Sequence, residues 1–347
     1  MSAKTMRIIF WLAVLFITVI FVLPAIKNTA GIHDFENKLD SMLPKARTGF
    51  NFTSTVLGLM TLIDPKADPV NANAELGRMA GDLKPSIDAD YRPDSVMKTI
   101  NNYLFKKKGY VFDGAANALM MGGDLSKLSA EDFRDFNSID RVLSRKKGIC
   151  LSLSLIYLII ADKLNLPIYG VLVPGHIFVR WDEPGHSEVN AETTFGGVEY
   201  YGYGELTKSE FIDKDKVIYN KPLDRYDTIA AMLNNFGVLM IRTGNIRKAR
   251  IMLERSIAML PDFPETHNNL GLIYLVTGKT GMAEDEFKRS IELFPNNSSA
   301  YTNLGAVYLV EKRYTLSQDS LEKALKLEPN NARARDILVK LVKERGQ

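Results

Sequence analysis

The apolar positions of this chain change their spacing from one stretch to the next, and each spacing predicts a different element. From Ile8 to Ile26 they run without a charge for 19 residues, which as a helix would reach roughly 28 Å, close to the thickness of a bilayer core. Lys4 and Arg7 precede this run with no acid among them, and Asp34, Glu36 and Asp40 follow it. The positive-inside bias then predicts a single-pass transmembrane anchor over residues 1–27, with everything from residue 28 onward outside the cytoplasm. A cleaved signal peptide is the rival expectation, although the run exceeds a typical signal core and no clear small-residue cleavage site follows it. Residues 28–110 return to helical spacing, in Phe35 to Leu43 and in Asn73 to Leu83. Phe50 to Ile63 is apolar but too short to span a membrane, and its Asn, Thr and Ser suit a buried helix.

Between residues 111 and 222 the signals shorten. A turn at Gly122-Gly123-Asp124 gives way to a helix start near Leu128 to Glu131. Ser138 can cap a helix from Ile139 to Lys146, with Gly148 as its stop. A second helix begins at about Cys150, with Leu151, Leu155, Leu158 and Ile159 as its inner stripe, and Pro167 ends it. Three strand-like runs follow, at 168–173, 176–182 and 187–193, the last two joined by the turn residues 183–186.

The final third, residues 223–347, repeats at a shift of 34. That shift aligns Phe236-Gly237 with Leu270-Gly271 and Leu304-Gly305, Met240 with Tyr274 and Tyr308, and Ala249 with Ala283 and Ser317. It also aligns Leu253 with Phe287 and Leu321, and Pro261 with Pro295 and Pro329. Leu-Gly followed by Tyr, a small residue at the helix crossing and a closing Pro resemble the tetratricopeptide repeat, in three copies over about 230–329 with a capping helix at 331–343. The resemblance implies an all-α solenoid whose groove takes a protein or peptide partner.

Charge and composition narrow the chemistry. A net charge of +3 is spread thinly, and the one basic run, Lys106 to Lys108, follows an apolar segment as a helix flank would, so nucleic acid is not expected as a partner. The single cysteine excludes an intramolecular disulfide and any zinc site that needs two thiolates. The histidines at 33, 176, 186 and 267 lack ligand spacing, and no glycine-rich phosphate loop follows a strand, so neither metal nor cofactor is expected.

Cys150 then stands out. A helix start supplies unpaired N–H groups and a positive dipole that favour a thiolate. His176 begins the second strand, on one face with Phe178 and Arg180, while Glu188, Asn190 and Glu192 share a face of the third. A hairpin register that sets His176 opposite Glu192 lets a carboxylate hold the imidazole tautomer that takes a proton from sulfur; a shift of two puts Asn190 there instead. Taken singly, a lone cysteine in an apolar helix reads as packing; together, Cys150, His176 and Glu192 or Asn190 are the parts of a thiol triad.

These residues carry a second resemblance. Gly148-Ile149-Cys150-Leu151-Ser152, Leu166-Pro167-Ile168-Tyr169-Gly170-Val171, Pro174-Gly175-His176-Ile177-Phe178-Val179-Arg180 and Asn190 to Thr194 resemble the bacterial transglutaminase-like superfamily, in the branch that carries tetratricopeptide repeats. The resemblance implies a papain-like α+β core with an antiparallel sheet, its nucleophile at Cys150, its base at His176, and its Asp-Pro-Thr position at Glu192-Thr193-Thr194. Glu replaces the family's Asp, and no glutamine precedes Cys150 as a side-chain oxyanion donor. The whole reading is an inner-membrane, periplasm-facing cysteine acyl-transfer enzyme acting on an envelope protein or peptide, most simply a peptidase or amidase and less simply an amide-crosslinking transferase. Its alternative is an inactive scaffold that binds partners through the repeats.

Overall fold

The computed structural model describes residues 31–115, 130–198 and 218–346. The described chain divides into two compact units, the first built mainly from 35–198 with 218–232, the second mainly from 233–346.

In the first unit, helices α1 (Ile32–Met42), α2 (Phe52–Ile63), α3 (Pro69–Ala89) and α4 (Pro93–Asn101) come first, and a π-helical turn (Asn102–Lys107) extends α4. Strand β1 (Val111–Phe112), helices α5 (Ala130–Asn137) and α6 (Ile139–Arg145), strand β2 (Lys147–Gly148) and helix α7 (Cys150–Lys163) follow. Asn51 caps α2 by accepting from the Ser54 N–H at 2.8 Å, and the helix buries Phe52, Val56, Leu57, Leu59, Met60 and Leu62.

No helix among the described residues is long and apolar enough to cross a membrane. The longest, α3, has 21 residues but is polar over much of its surface, whereas the strongly apolar α2 and α7 have 12 and 14. At ~1.5 Å per residue the apolar helices fall well short of a ~30 Å hydrocarbon core. The expected N-terminal transmembrane helix, and with it the single-pass inner-membrane location facing the periplasm, therefore finds no support among the described helices; the run from Ile8 to Ile26 on which both rested lies outside the described residues.

Helix α7 is the centre of this unit. Every residue from Cys150 to Ala161 is buried, so the helix is enclosed all round rather than facing a core with the single stripe that its leucines predict. Helices α2, α3 and α6 and the sheet strands that follow it all pack on it. The residue that ends α6 is Lys146, in the left-handed conformation at φ 60°. Gly148 serves close packing instead of ending that helix. A Cβ there would stand 2.6 Å from Ser152 Oγ and 3.0 Å from Val142 Cγ1, so only glycine lets β2 run so close to the start of α7.

The sheet holds β3 (Ile168–Val173), β4 (His176–Trp181), β5 (Val189–Ala191) and β6 (Pro222–Leu223), all antiparallel, in the order β5-β4-β3-β6. Val173 pairs with His176, so β3 and β4 are joined by only Pro174 and Gly175, with Gly175 at φ 71°, the residue types that a tight turn of this length requires. Buried Arg180 ties strands together: its Nε donates to Asn190 Oδ1 at 2.8 Å, and its Nη atoms to the Asn220 carbonyl and Oδ1 at 3.1 and 2.6 Å.

The second unit continues from helix α8 (Arg225–Arg242) through α9 (Ile246–Met259), α10 (Pro264–Val276), α11 (Thr280–Leu293), α12 (Ser298–Val310), α13 (Tyr314–Leu327) and α14 (Ala332–Arg345). Consecutive helices from α9 to α14 pack against one another, and the last helix closes a core of Leu309, Leu321, Ala324, Ala334, Ile337 and Leu341. Asparagines tie neighbouring first helices: Asn269 donates to Asn234 and Asn303 to Asn268, each at 2.9 Å. Glu284 gathers Arg313, Lys288 and the Tyr308 hydroxyl at 2.6, 2.7 and 3.0 Å; burial opposes its charge, and these three outweigh burial and hold its carboxyl down to about 2.

The glycine of each repeat marks a helix crossing. A Cβ on Gly271 would lie 2.7 Å from the Phe287 ring, as it would from Leu253 at Gly237 and from Leu321 at Gly305. Gly271→Ala gains up to ~1 kcal/mol in helix propensity, but forcing a buried ring aside costs about 1–3 kcal/mol, so the variant is expected to melt several degrees below the parent. Gly281→Ala, where nothing lies within 4 Å, is the control and is expected not to lower the melting temperature.

Candidate active site

Cys150 is the first residue of α7, and β2 delivers the chain to it. The Ser152 hydroxyl accepts from the Ile149 N–H at 3.0 Å, satisfying one donor at the helix start. The cysteine is 6% exposed. His176, at the first position of β4, presents its ring to this helix end, where it hydrogen-bonds the Cys150 side chain.

The other partner of the ring is Glu192, whose Oε2 lies 2.8 Å from His176 Nε2. With Nε2 taken by the carboxylate, Nδ1 is the nitrogen left for sulfur. Glu192 is 1% exposed, and its second oxygen accepts from the Thr194 N–H at 2.8 Å and the Thr194 hydroxyl at 2.6 Å. A buried carboxylate with both oxygens engaged is fixed in orientation and compensated for the water it has lost.

The register is not the one that sets His176 opposite Glu192. β4 and β5 pair Trp181 with Val189, Arg180 with Asn190 and Val179 with Ala191, a register that carries Glu192 towards Phe178. The ladder stops there; Glu192 bridges to Val198 instead, and its side chain reaches His176 diagonally. The added methylene of Glu over Asp suits that longer reach. The two side chains left open by the sequence have separate partners: Glu192 stands on His176, and Asn190 accepts from Arg180.

Electrostatically, burial favours the neutral imidazole, but the hydrogen bonds to Cys150 and Glu192 and their charges outweigh it, so the His176 pKa rises to about 9. At neutral pH the ring is therefore protonated, within hydrogen-bond reach of the Cys150 side chain and of the Glu192 carboxylate.

Ser154 belongs to no motif of the sequence, and a serine set among leucines and isoleucines of a buried helix is the only signal it gives. Its hydroxyl meets Thr193 Oγ1 at 3.1 Å and the Ile177 carbonyl at 3.4 Å, so one side chain, a turn beyond Cys150, fixes α7 to both the histidine strand and the acid segment. Asn101, at the end of α4, donates to the Gly197 carbonyl at 2.6 Å and holds the far end of that segment. Among the described residues no group of three or more His, Cys, Asp and Glu side chains is placed to hold a metal ion.

The family model of the transglutaminase-like superfamily matches residues 71–200, and two tetratricopeptide-repeat models match residues 264–297 and 286–319. The chain thus carries a transglutaminase-like domain followed by tetratricopeptide repeats. A comparison with curated proteins returns no match. Among solved structures, similar ones include the first tetratricopeptide domain of Spaghetti (RPAP3) bound to an HSP90 peptide, at 23% identity and a TM-score of 0.33, covering 34% of this chain and 94% of that one. The Arabidopsis OM64 domain is 19% identical with a TM-score of 0.33, covering 34% and 98%. The Sgt2 domain from Aspergillus fumigatus is 18% identical with a TM-score of 0.33, covering 34% and 80%.

Proposed function

We propose that this protein is a cysteine-dependent acyl-transfer enzyme, a thiol peptidase or amidase, whose repeats take a protein or peptide partner. The observation that carries the proposal is the His176 ring held between the Cys150 side chain and the Glu192 carboxylate, each within hydrogen-bonding reach. In the scheme, sulfur attacks an amide carbonyl carbon and a C–S bond forms. His176 then gives its proton to the departing amine as the C–N bond breaks, leaving an acyl-enzyme. Water, deprotonated by the same ring, attacks that carbonyl; the C–S bond breaks, the acid leaves, and the proton returns to the Cys150–His176 pair. Glu192 orients the ring throughout and balances its charge.

Alkylation of the full-length chain by 2-chloroacetamide tests the pairing, because its rate reads the thiolate alone. The wild type is expected to react at pH 7 at least tenfold faster than His176→Ala, since removing the imidazolium removes the charge that favours the thiolate. Equal rates in the two proteins would turn the reading towards the inactive scaffold.

A further inference from the structure

Among the described residues of the first unit, the large apolar side chains left exposed are Val70, Tyr91, Val111, Phe195 and Val198. The last three gather at the edge of the candidate site. Val111 lies on β1, which pairs in parallel with β2 two residues before Cys150 and packs against the 3₁₀ turn Thr193–Phe195. Phe195, 70% exposed, ends that turn, which begins directly after Glu192. Val198, 61% exposed, is bridged antiparallel to Glu192. Residues opposite one another in an antiparallel pair project to the same face with Cβ atoms about 5 Å apart, so Val198 stands beside the side chain that holds His176.

This edge is held rigidly. The Phe195 and Gly197 N–H groups both donate to the Glu192 carbonyl, at 3.1 and 2.8 Å, and Asn101 grips the Gly197 carbonyl from α4. Nothing in that scaffolding requires apolar side chains at 195 and 198, which leave 70% and 61% of their surface to water. Exposed apolar groups fixed on the segment that carries Glu192 are a surface suited to an apolar ligand, and prior rigidity lowers the ordering cost of binding it.

We propose that Phe195 and Val198, with Val111 beside the turn, form an apolar subsite that receives an aliphatic or aromatic side chain of the peptide whose carbonyl is presented to Cys150. The inference rests on the thiol acyl-transfer reading and names its substrate class: peptide segments with an apolar residue next to the scissile bond, in preference to an acidic one.

The test uses the full chain and two electrophiles, N-acetyl-leucine chloromethyl ketone and N-acetyl-glutamate chloromethyl ketone, with alkylation of Cys150 measured by mass spectrometry. The wild type is expected to react about tenfold or more faster with the leucine compound, a discrimination of the size that an apolar contact supplies. In Phe195→Ser/Val198→Ser the ratio of the two rates is expected to fall below about threefold; a ratio is insensitive to any general loss of sulfur reactivity. A wild-type ratio near one, or an unchanged ratio in the double variant, would overturn the subsite while leaving the thiol reading intact. Equal 2-chloroacetamide rates in the wild type and His176→Ala would overturn both.

Discussion

Cys150→Ala is expected to abolish turnover of peptide amides, with kcat/KM falling by ~10³-fold or more, because it removes the sulfur that His176 is placed to serve in forming the acyl bond. The substitution tests chemistry rather than folding. Cys150 is 6% exposed, and alanine keeps its Cβ and the start of α7. Only one sulfur leaves the core, at a stability cost of order 1 kcal/mol. The expected pattern is therefore a near-parental melting curve with no burst and no steady-state release of amine from fluorogenic peptide amides. His176→Ala is expected to match it to within about tenfold, since residues that act as one unit lose most of their effect when either is removed. Retention of more than a tenth of wild-type activity in Cys150→Ala would exclude the sulfur as nucleophile.

The second large effect concerns pH. The His176 pKa lies at about 9, against an ordinary 6.5. The sign follows from the partners: the Cys150 sulfur and the Glu192 carboxylate favour the protonated ring and together outweigh burial. In the proposed scheme the ring must carry its proton to expel the amine, so kcat/KM is expected to hold between pH 7 and 8.5 and fall with a limb near 9. Glu192→Gln keeps the shape of the side chain and removes its charge. It is expected to move that limb down by about one pH unit or more and to lower the plateau ~10²-fold or more, since the ring loses both charge support and its fixed orientation. Direct NMR titration of the His176 ring in both proteins checks the assignment. An alkaline limb unmoved by Glu192→Gln would show that the carboxylate does not act through the imidazole.

Some of this is legible from residue order alone. A period of 34 marked by Gly237, Gly271 and Gly305 is a local regularity: each repeat needs the same close crossing, and each such glycine meets a large side chain of the next helix. Pro174-Gly175 ahead of His176 is local too, because a tight turn of two residues puts the histidine at the first position of the next strand whatever else the chain does. Membrane anchoring, by contrast, rests on one apolar run and has no support among the described helices.

What the chain determined by itself, then, was its short-range content: the turns, the repeat spacing, and the side-chain types at Cys150, His176 and Glu192. Only the tertiary structure decided which of two side chains, Asn190 or Glu192, meets the imidazole. Alternation assigns Asn190 and Glu192 to the same face of a strand but says nothing of where the ladder stops, and that is set by the Glu192–Val198 bridge and by Arg180 claiming Asn190. The same holds for Ser154, Asn101 and the apolar edge at Phe195 and Val198, whose roles depend on contacts between segments tens of residues apart, formed when α7 is enclosed by the sheet and the helices around it.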